Sequence, residues 1–149
     1  MSPKIRERVL KFRYGYRLPT IRPTNSLMKN ILIIDDMDGV REAMTVLLEV
    51  AGYKISTAKD GEEGFRRAAS GDFDLIITDI LMPELDGNEM IMKLRDDSVK
   101  TPIIAMSAGG NGVGSEAALG LPTELGLTTL EKPFSKAQLL ETVQSAIDS

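Results

Sequence analysis

The chain contains neither cysteine nor histidine. Without cysteine there is no disulfide framework, thiol nucleophile or iron–sulfur ligation. Without histidine the usual imidazole base and a common zinc ligand are missing. Any metal must therefore be held by oxygen, which favours magnesium, manganese or calcium. Long apolar runs are absent too, so no membrane insertion is expected. The apolar segment of roughly 7–15 residues that marks a secretory signal is also missing. A reducing, cytoplasmic setting fits this composition.

What remains is a globular balance: 149 residues, 42% hydrophobic and 27% charged. That length suits one domain with a substantial core. The formal charge of −4 conceals an asymmetry. Residues 1–28 carry seven Lys/Arg and one acid, for +6, which leaves −10 on the rest. So acidic a body is a poor non-specific nucleic-acid binder, and no nucleic-acid partner is expected for it. The leader has no sustained period, and Gly15, Pro19 and Pro23 break it. It reads as a flexible basic extension, residues 1–28, ahead of a folded domain at 29–149. A contact arm for nucleic acid or membrane is the other reading, because Arg6, Arg8, Lys11, Arg13 and Arg17 lie near Phe12, Tyr14 and Tyr16.

From Asn30 onward the pattern is regular. Ile31–Ile34 is a short apolar strand ending in Asp35-Asp36. Asp38 is expected to cap a helix carrying Val40, Met44, Leu47 and Leu48, with Gly52 closing it. Tyr53–Ala58 alternates as a second strand, and Asp60-Gly61 precedes a helix that Gly71 ends. Phe73–Thr78 is a third strand with a nearly continuous apolar run, as in a parallel sheet covered on both faces. Gly87 opens a helix with Met90, Ile91 and Leu94 on one face. Thr101–Met106 is a fourth strand, Ala117–Leu119 suggests a short helix, and Leu127–Leu130 is a fifth strand. Ser135 caps a last helix with Leu139, Leu140, Val143 and Ile147. Five strand–helix repeats imply an α/β fold with a parallel sheet between helical layers, though not its strand order. A dinucleotide fold is disfavoured, since the first strand leads into DDMDG and no GxGxxG follows.

If the strands are parallel, their carboxyl ends share one edge of the sheet, where ligands of open α/β folds collect. That edge gathers Asp35 and Asp36 after the first strand, Asp79 after the third, Ser107 after the fourth and Lys132 after the fifth. Two or three acids make a reasonable Mg²⁺ site. Lys132 supplies a mobile positive charge and Ser107 a neutral donor to a phosphoryl oxygen. No obvious base for activating water is present, but a carboxylate is itself a competent nucleophile for phosphoryl transfer. The combination points to an aspartyl phosphate rather than a simple hydrolase. Plainer readings stand beside it: Asp35-Asp36 as helix-capping acids, Lys132 as a surface lysine before a proline, and Ser107 as the cap of the following helix. The methionines read as packing residues.

With ILIIDD, LIITDILMPELDG, IIAMSA and LEKPF in order, residues 29–149 resemble the receiver domain of bacterial two-component response regulators. The resemblance implies a (βα)5 flavodoxin-like three-layer sandwich with a central parallel five-stranded sheet in the order 2-1-3-4-5. It also implies phosphoryl transfer from a histidine kinase or histidine phosphotransfer protein. Asp79 would be the phosphoacceptor. Asp36, Asp79 and the Leu81 carbonyl would ligate Mg²⁺, or Mn²⁺ in its place, with Asp35 acting mainly through water. Ser107 would follow the phosphoryl group and Lys132 would pair with phosphate or acceptor. Met82-Pro83 and Asp86-Gly87 would shape the loop after Asp79.

Two departures from the family pattern bear on output. Thr129 stands where the family usually has an aromatic switch residue, so no ring can report phosphorylation there. The Gly109–Gly114 stretch also makes the loop after Ser107 unusually glycine-rich. No output module follows the last helix, so a stand-alone receiver is expected, whose output is a downstream protein target, a phosphorelay step or a homodimer. Catalysis is expected to extend no further than its own phosphorylation and dephosphorylation. The alternative is a constitutive interaction module that is not phosphorylated.

Overall fold

Runs of branched apolar residues, punctuated by helices with one apolar stripe, can satisfy both only by placing a sheet between helical layers. The computed structural model, which describes residues 28–82, 87–108 and 125–148, has that arrangement. Its strands are β1 (Asn30–Ile34), β2 (Lys54–Ala58), β3 (Leu75–Asp79), β4 (Ile103–Ala108) and β5 (Thr128–Lys132). The described helices are α1 (Asp38–Val50), α2 (Gly61–Ser70), α3 (Gly87–Asp96) and α4 (Lys136–Asp148). The five strands form one sheet in the order β2-β1-β3-β4-β5, parallel throughout. This is the flavodoxin-like topology that the resemblance implies. Residues 1–27 of the leader, Pro83 and Asp86, the Gly109–Gly114 loop and the expected helix at Ala117–Leu119 lie outside the described residues.

Alternation along the strands sorts the core into two layers. Leu32, Ile34, Ile76, Ile103 and Ala105 pack with Ala68 of α2 and with Met90, Ile91 and Leu94 of α3. Ile31, Ile33, Leu75, Ile77, Ile104 and Met106 pack with Met44 and Leu48 of α1 and with Leu139, Val143 and Ala146 of α4. Odd residues of β1 and β3 thus face α1 and α4, whereas even residues face α2 and α3.

Helix ends follow local chemistry where nothing competes. Asp60 caps α2 by accepting from Glu63 N at 2.8 Å. Ser135 and Gln138 exchange two bonds at the start of α4: Ser135 N donates to Gln138 Oε1 at 2.8 Å, and Gln138 N to Ser135 Oγ at 3.1 Å. Gly52 adopts φ +103 after α1, its N–H reaching Glu49 O while Tyr53 N reaches Leu48 O. Asp38 behaves differently from its expected role. Met37 is the N-cap of α1 and makes no side-chain cap bond, while Asp38 lies inside the first turn and pairs with Arg41.

Candidate functional site

The chemistry-bearing residues lie nearer the ladder than the sequence suggests. Asp79 and Lys132 close β3 and β5, and Ser107 lies within β4 rather than after it. Asp35 is one residue beyond β1 and donates its N–H to Ala58 O at 3.2 Å. Parity explains who meets whom. Asp35 continues the face of Ile31 and Ile33, Asp79 that of Leu75 and Ile77, and Lys132 that of Leu130. Those three side chains accordingly converge on the α1–α4 side. Lys132 Nζ lies 2.9 Å from Asp35 Oδ2 and 3.3 Å from Asp79 Oδ2, across sequence separations of 97 and 53 residues.

Asp35 is fully buried, Asp79 nearly so, and Asp36 is exposed. One carboxylate oxygen from each can be chosen so that all three lie within 4.8 Å of one another. The three acids against one ammonium leave two negative charges that the described side chains of this cluster do not balance. Burial pushes the Asp79 carboxyl above its ordinary value; the Asp35 and Asp36 charges add to this, while Lys132 opposes it. Burial alone would lower Lys132. The hydrogen bond it donates to Asp35 and the charges of Asp79 and Asp35 outweigh it, so the ammonium is held above its usual range. The cluster thus keeps Lys132 charged and makes a second positive charge favourable beside Asp79. Its hard oxygen donors and surplus negative charge fit a divalent cation.

Around the cluster lies a cleft of about 700 Å³, lined by Asp36, Met37, Val40, Asp79, Leu81, Lys132, Pro133 and Phe134. Leu81 sits at its wall and is largely exposed. Ser107 pairs in register with Glu131, next to the Ala108–Lys132 pair. Its Oγ is buried and has no hydrogen-bond partner among the described residues. By parity Ser107 belongs with Ile103 and Ala105, on the opposite side of the sheet from Lys132. Thr129 pairs with Ala105 and is exposed.

Two contacts escaped the sequence reading. Met37 N donates to Asp35 Oδ1 at 2.9 Å, an Asx-type turn that an aspartate two residues ahead could have suggested. Arg41 Nη1 donates to the Asp35 carbonyl at 2.6 Å, a tertiary contact with no local signature.

The family model of the response regulator receiver domain matches residues 31–144. Among curated proteins, the alkaline phosphatase synthesis transcriptional regulatory protein PhoP of Bacillus subtilis is 34% identical over 120 residues, covering 80% of this chain and 48% of that protein. The transcriptional regulatory protein CusR of Escherichia coli K12 is 35% identical over 118 residues, covering 78% and 50%. The chain therefore spans about half the length of the curated relatives it matches. Among solved structures, the chemotaxis protein CheY4 of Vibrio cholerae superposes with a TM-score of 0.71 at 33% identity, covering 80% of this chain and 98% of that one. The receiver domain of the sensor histidine kinase PA1611 of Pseudomonas aeruginosa, solved with magnesium in its active-site cleft, gives 0.74 at 28% identity, covering 82% and 99%. No helix among the described residues is long and apolar enough to cross a membrane. Sheet order, acidic cluster and relatives agree: the chain belongs to the response regulator receiver domain family, and phosphoacceptance is the function they support.

Proposed function

We propose that Asp79 is the acceptor and that its donor is the phosphohistidine of a histidine kinase or phosphotransfer protein. A carboxylate oxygen of Asp79 attacks phosphorus in line. The O–P bond forms as the donor's N–P bond breaks, and the leaving imidazole nitrogen keeps the electron pair. Lys132, already 3.3 Å from Asp79 Oδ2, balances charge on the transferring group. Ser107 follows the other parity, but it stands one residue beyond Met106, the register partner of Asp79, and from that carboxyl edge its buried hydroxyl would supply a neutral donor to a phosphoryl oxygen. Asp36, Asp79 and the Leu81 carbonyl hold Mg²⁺, for which Mn²⁺ substitutes, and Asp35 contributes through water. That ion supplies neutralisation of the transferring phosphoryl charge. Output passes to a downstream protein target or through a homodimer, without an aromatic side chain at Thr129.

The observation that supports this most is the meeting of Asp35, Asp79 and Lys132 from three separate strand ends. The experiment is intact-mass analysis after incubation with a small phosphodonor and Mg²⁺. One acid-labile phosphoryl group is expected, and Asp79→Asn abolishes it. A wild-type protein that gains no adduct across varied donors would favour a constitutive interaction module instead.

A further inference from the structure

Asp35 is held at every polar atom. Its N–H donates to Ala58 O at 3.2 Å, Oδ1 accepts from Met37 N at 2.9 Å, and Oδ2 accepts from Lys132 Nζ at 2.9 Å. Its carbonyl accepts from Arg41 Nη1 at 2.6 Å. The next carboxylate, that of Asp36, is exposed and belongs to the acidic cluster. Where it points is therefore set by the backbone of the turn rather than by packing of its own side chain.

Arg41 reaches back to that turn from the helix that follows it. Its guanidinium forks: one nitrogen takes the Asp35 carbonyl and the other the Asp38 carboxylate. The Arg41 side chain is 17% exposed while Asp38 is 84% exposed, so the inner arm of the fork is sheltered and the outer arm is a solvent-side tether. The backbone of Arg41 is fixed in turn, its N–H donating to Met37 O at 3.1 Å and its carbonyl accepting from Thr45 Oγ1 at 2.7 Å. A lysine could occupy one arm but not both.

We propose that Arg41 is a positioning residue for the acidic cleft: by clamping the Asp35 carbonyl to α1, it fixes the turn that carries Asp36 and so sets the affinity for a divalent cation. The proposal rests on the divalent-cation reading of the cleft. Position and charge make opposite predictions here. As a mere positive charge near three acids, Arg41 would repel a cation, and its removal would tighten binding. As a clamp, its removal loosens the donor set and weakens binding.

The test is calorimetric titration of Mg²⁺ into the full chain as wild type, Arg41→Gln, Arg41→Lys and Asp38→Asn. The clamp predicts about tenfold weaker binding in Arg41→Gln, the scale at which outer-shell partners of metal ligands act. Arg41→Lys, which keeps the charge, should also bind more weakly than wild type. Asp38→Asn, which disturbs only the exposed arm, should fall between wild type and Arg41→Gln. Raising Mg²⁺ should restore the phosphorylation rate of Arg41→Gln, a rescue that general structural damage would not give. Unchanged or tighter Mg²⁺ binding in Arg41→Gln overturns the clamp while leaving the cation reading intact. Absence of Mg²⁺ binding by wild type overturns the cation reading, and the clamp with it. Should Arg41→Gln not fold, Arg41→Lys and Asp38→Asn carry the test, and wild-type affinity in both overturns the proposal.

Discussion

Gly87→Ala tests whether α3 and the acceptor strand are packed to the limit of backbone contact. Gly87 begins α3, is buried, and donates its N–H to Ile80 O at 2.9 Å. A Cβ there would lie 2.4 Å from the Asp79 carbonyl oxygen, 2.8 Å from Ile80 Cα and 3.2 Å from the Asp79 carbonyl carbon. All three atoms are main chain, so no side chain can rotate away. That carbonyl oxygen also accepts from Thr78 Oγ1 at 2.9 Å, which adds to its fixity. Overpacking costs about 1–3 kcal/mol, and an all-backbone clash belongs near the upper figure. The better helix propensity of alanine returns at most about 1 kcal/mol. A net loss of about 2 kcal/mol is expected from urea unfolding in metal-free buffer at an unchanged slope. The same change at Gly39, second residue of α1, supplies the control. Nothing lies within 4 Å of its added Cβ, so Gly39→Ala should stabilise by about 0.5–1 kcal/mol. Phosphorylation should slow in Gly87→Ala, because relief moves the Asp79 backbone. Gly87→Ala with wild-type stability and wild-type phosphorylation would refute the close-approach argument.

Lys132→Met strands the buried Asp35 carboxylate and should cost about 3 kcal/mol at neutral pH, read by the same unfolding assay. The Lys132 pKa is held above its ordinary 10.5, so its stabilisation is complete below that value and is lost as pH rises through the folded one. Wild type should therefore lose stability in that alkaline window, and Lys132→Met should lack this component. Asp79 titrates above its ordinary 3.8, chiefly through burial, so in the metal-free protein its charge costs stability as pH climbs from 3.8 through the folded value. Asp79→Asn should be the more stable protein above that window, measured with chelator present. Ser135→Ala removes the bond to Gln138 N and should cost about 1 kcal/mol with no change in phosphorylation, which the mass assay checks.

Much of the fold was legible because local and tertiary preferences agreed. The branched apolar residues at 31–34, 75–77 and 103–104 can bury both faces only as inner strands, and those segments form β1, β3 and β4. Asp60, Ser135 and Gly52 were readable as helix boundaries because each bonds within four residues. Asp38 departs from its expected cap because competing contacts of equally short range decide it. Asp35 Oδ1 takes the Met37 N–H, and the Asp38 carboxylate goes to Arg41. Strand ends fall later than expected: the expected strands stop at Thr78, Met106 and Leu130, whereas the ladder continues through Asp79, Ser107 and Lys132. Polar residues at those positions still pair their backbones, whatever their side chains do.

That displacement matters for the site. Had Asp79 and Lys132 lain in free loops, nothing would have dictated which way they pointed. As members of strands they inherit the alternation of Leu75–Ile77–Asp79 and Leu130–Lys132, and Asp35 inherits that of Ile31–Ile33. A shift of one residue in any of these segments would send its charged group to the α2–α3 side and break the pair with Lys132. Parity within each strand was visible in the sequence, but which helices each parity faces depends on strand order and crossover, set by β1 lying between β2 and β3. Asp36 lies in the bend beyond β1, where strand alternation no longer applies, so the adjacent aspartates divide the work. One is buried against Lys132; the other is left at the surface, where a cation from solvent can reach it.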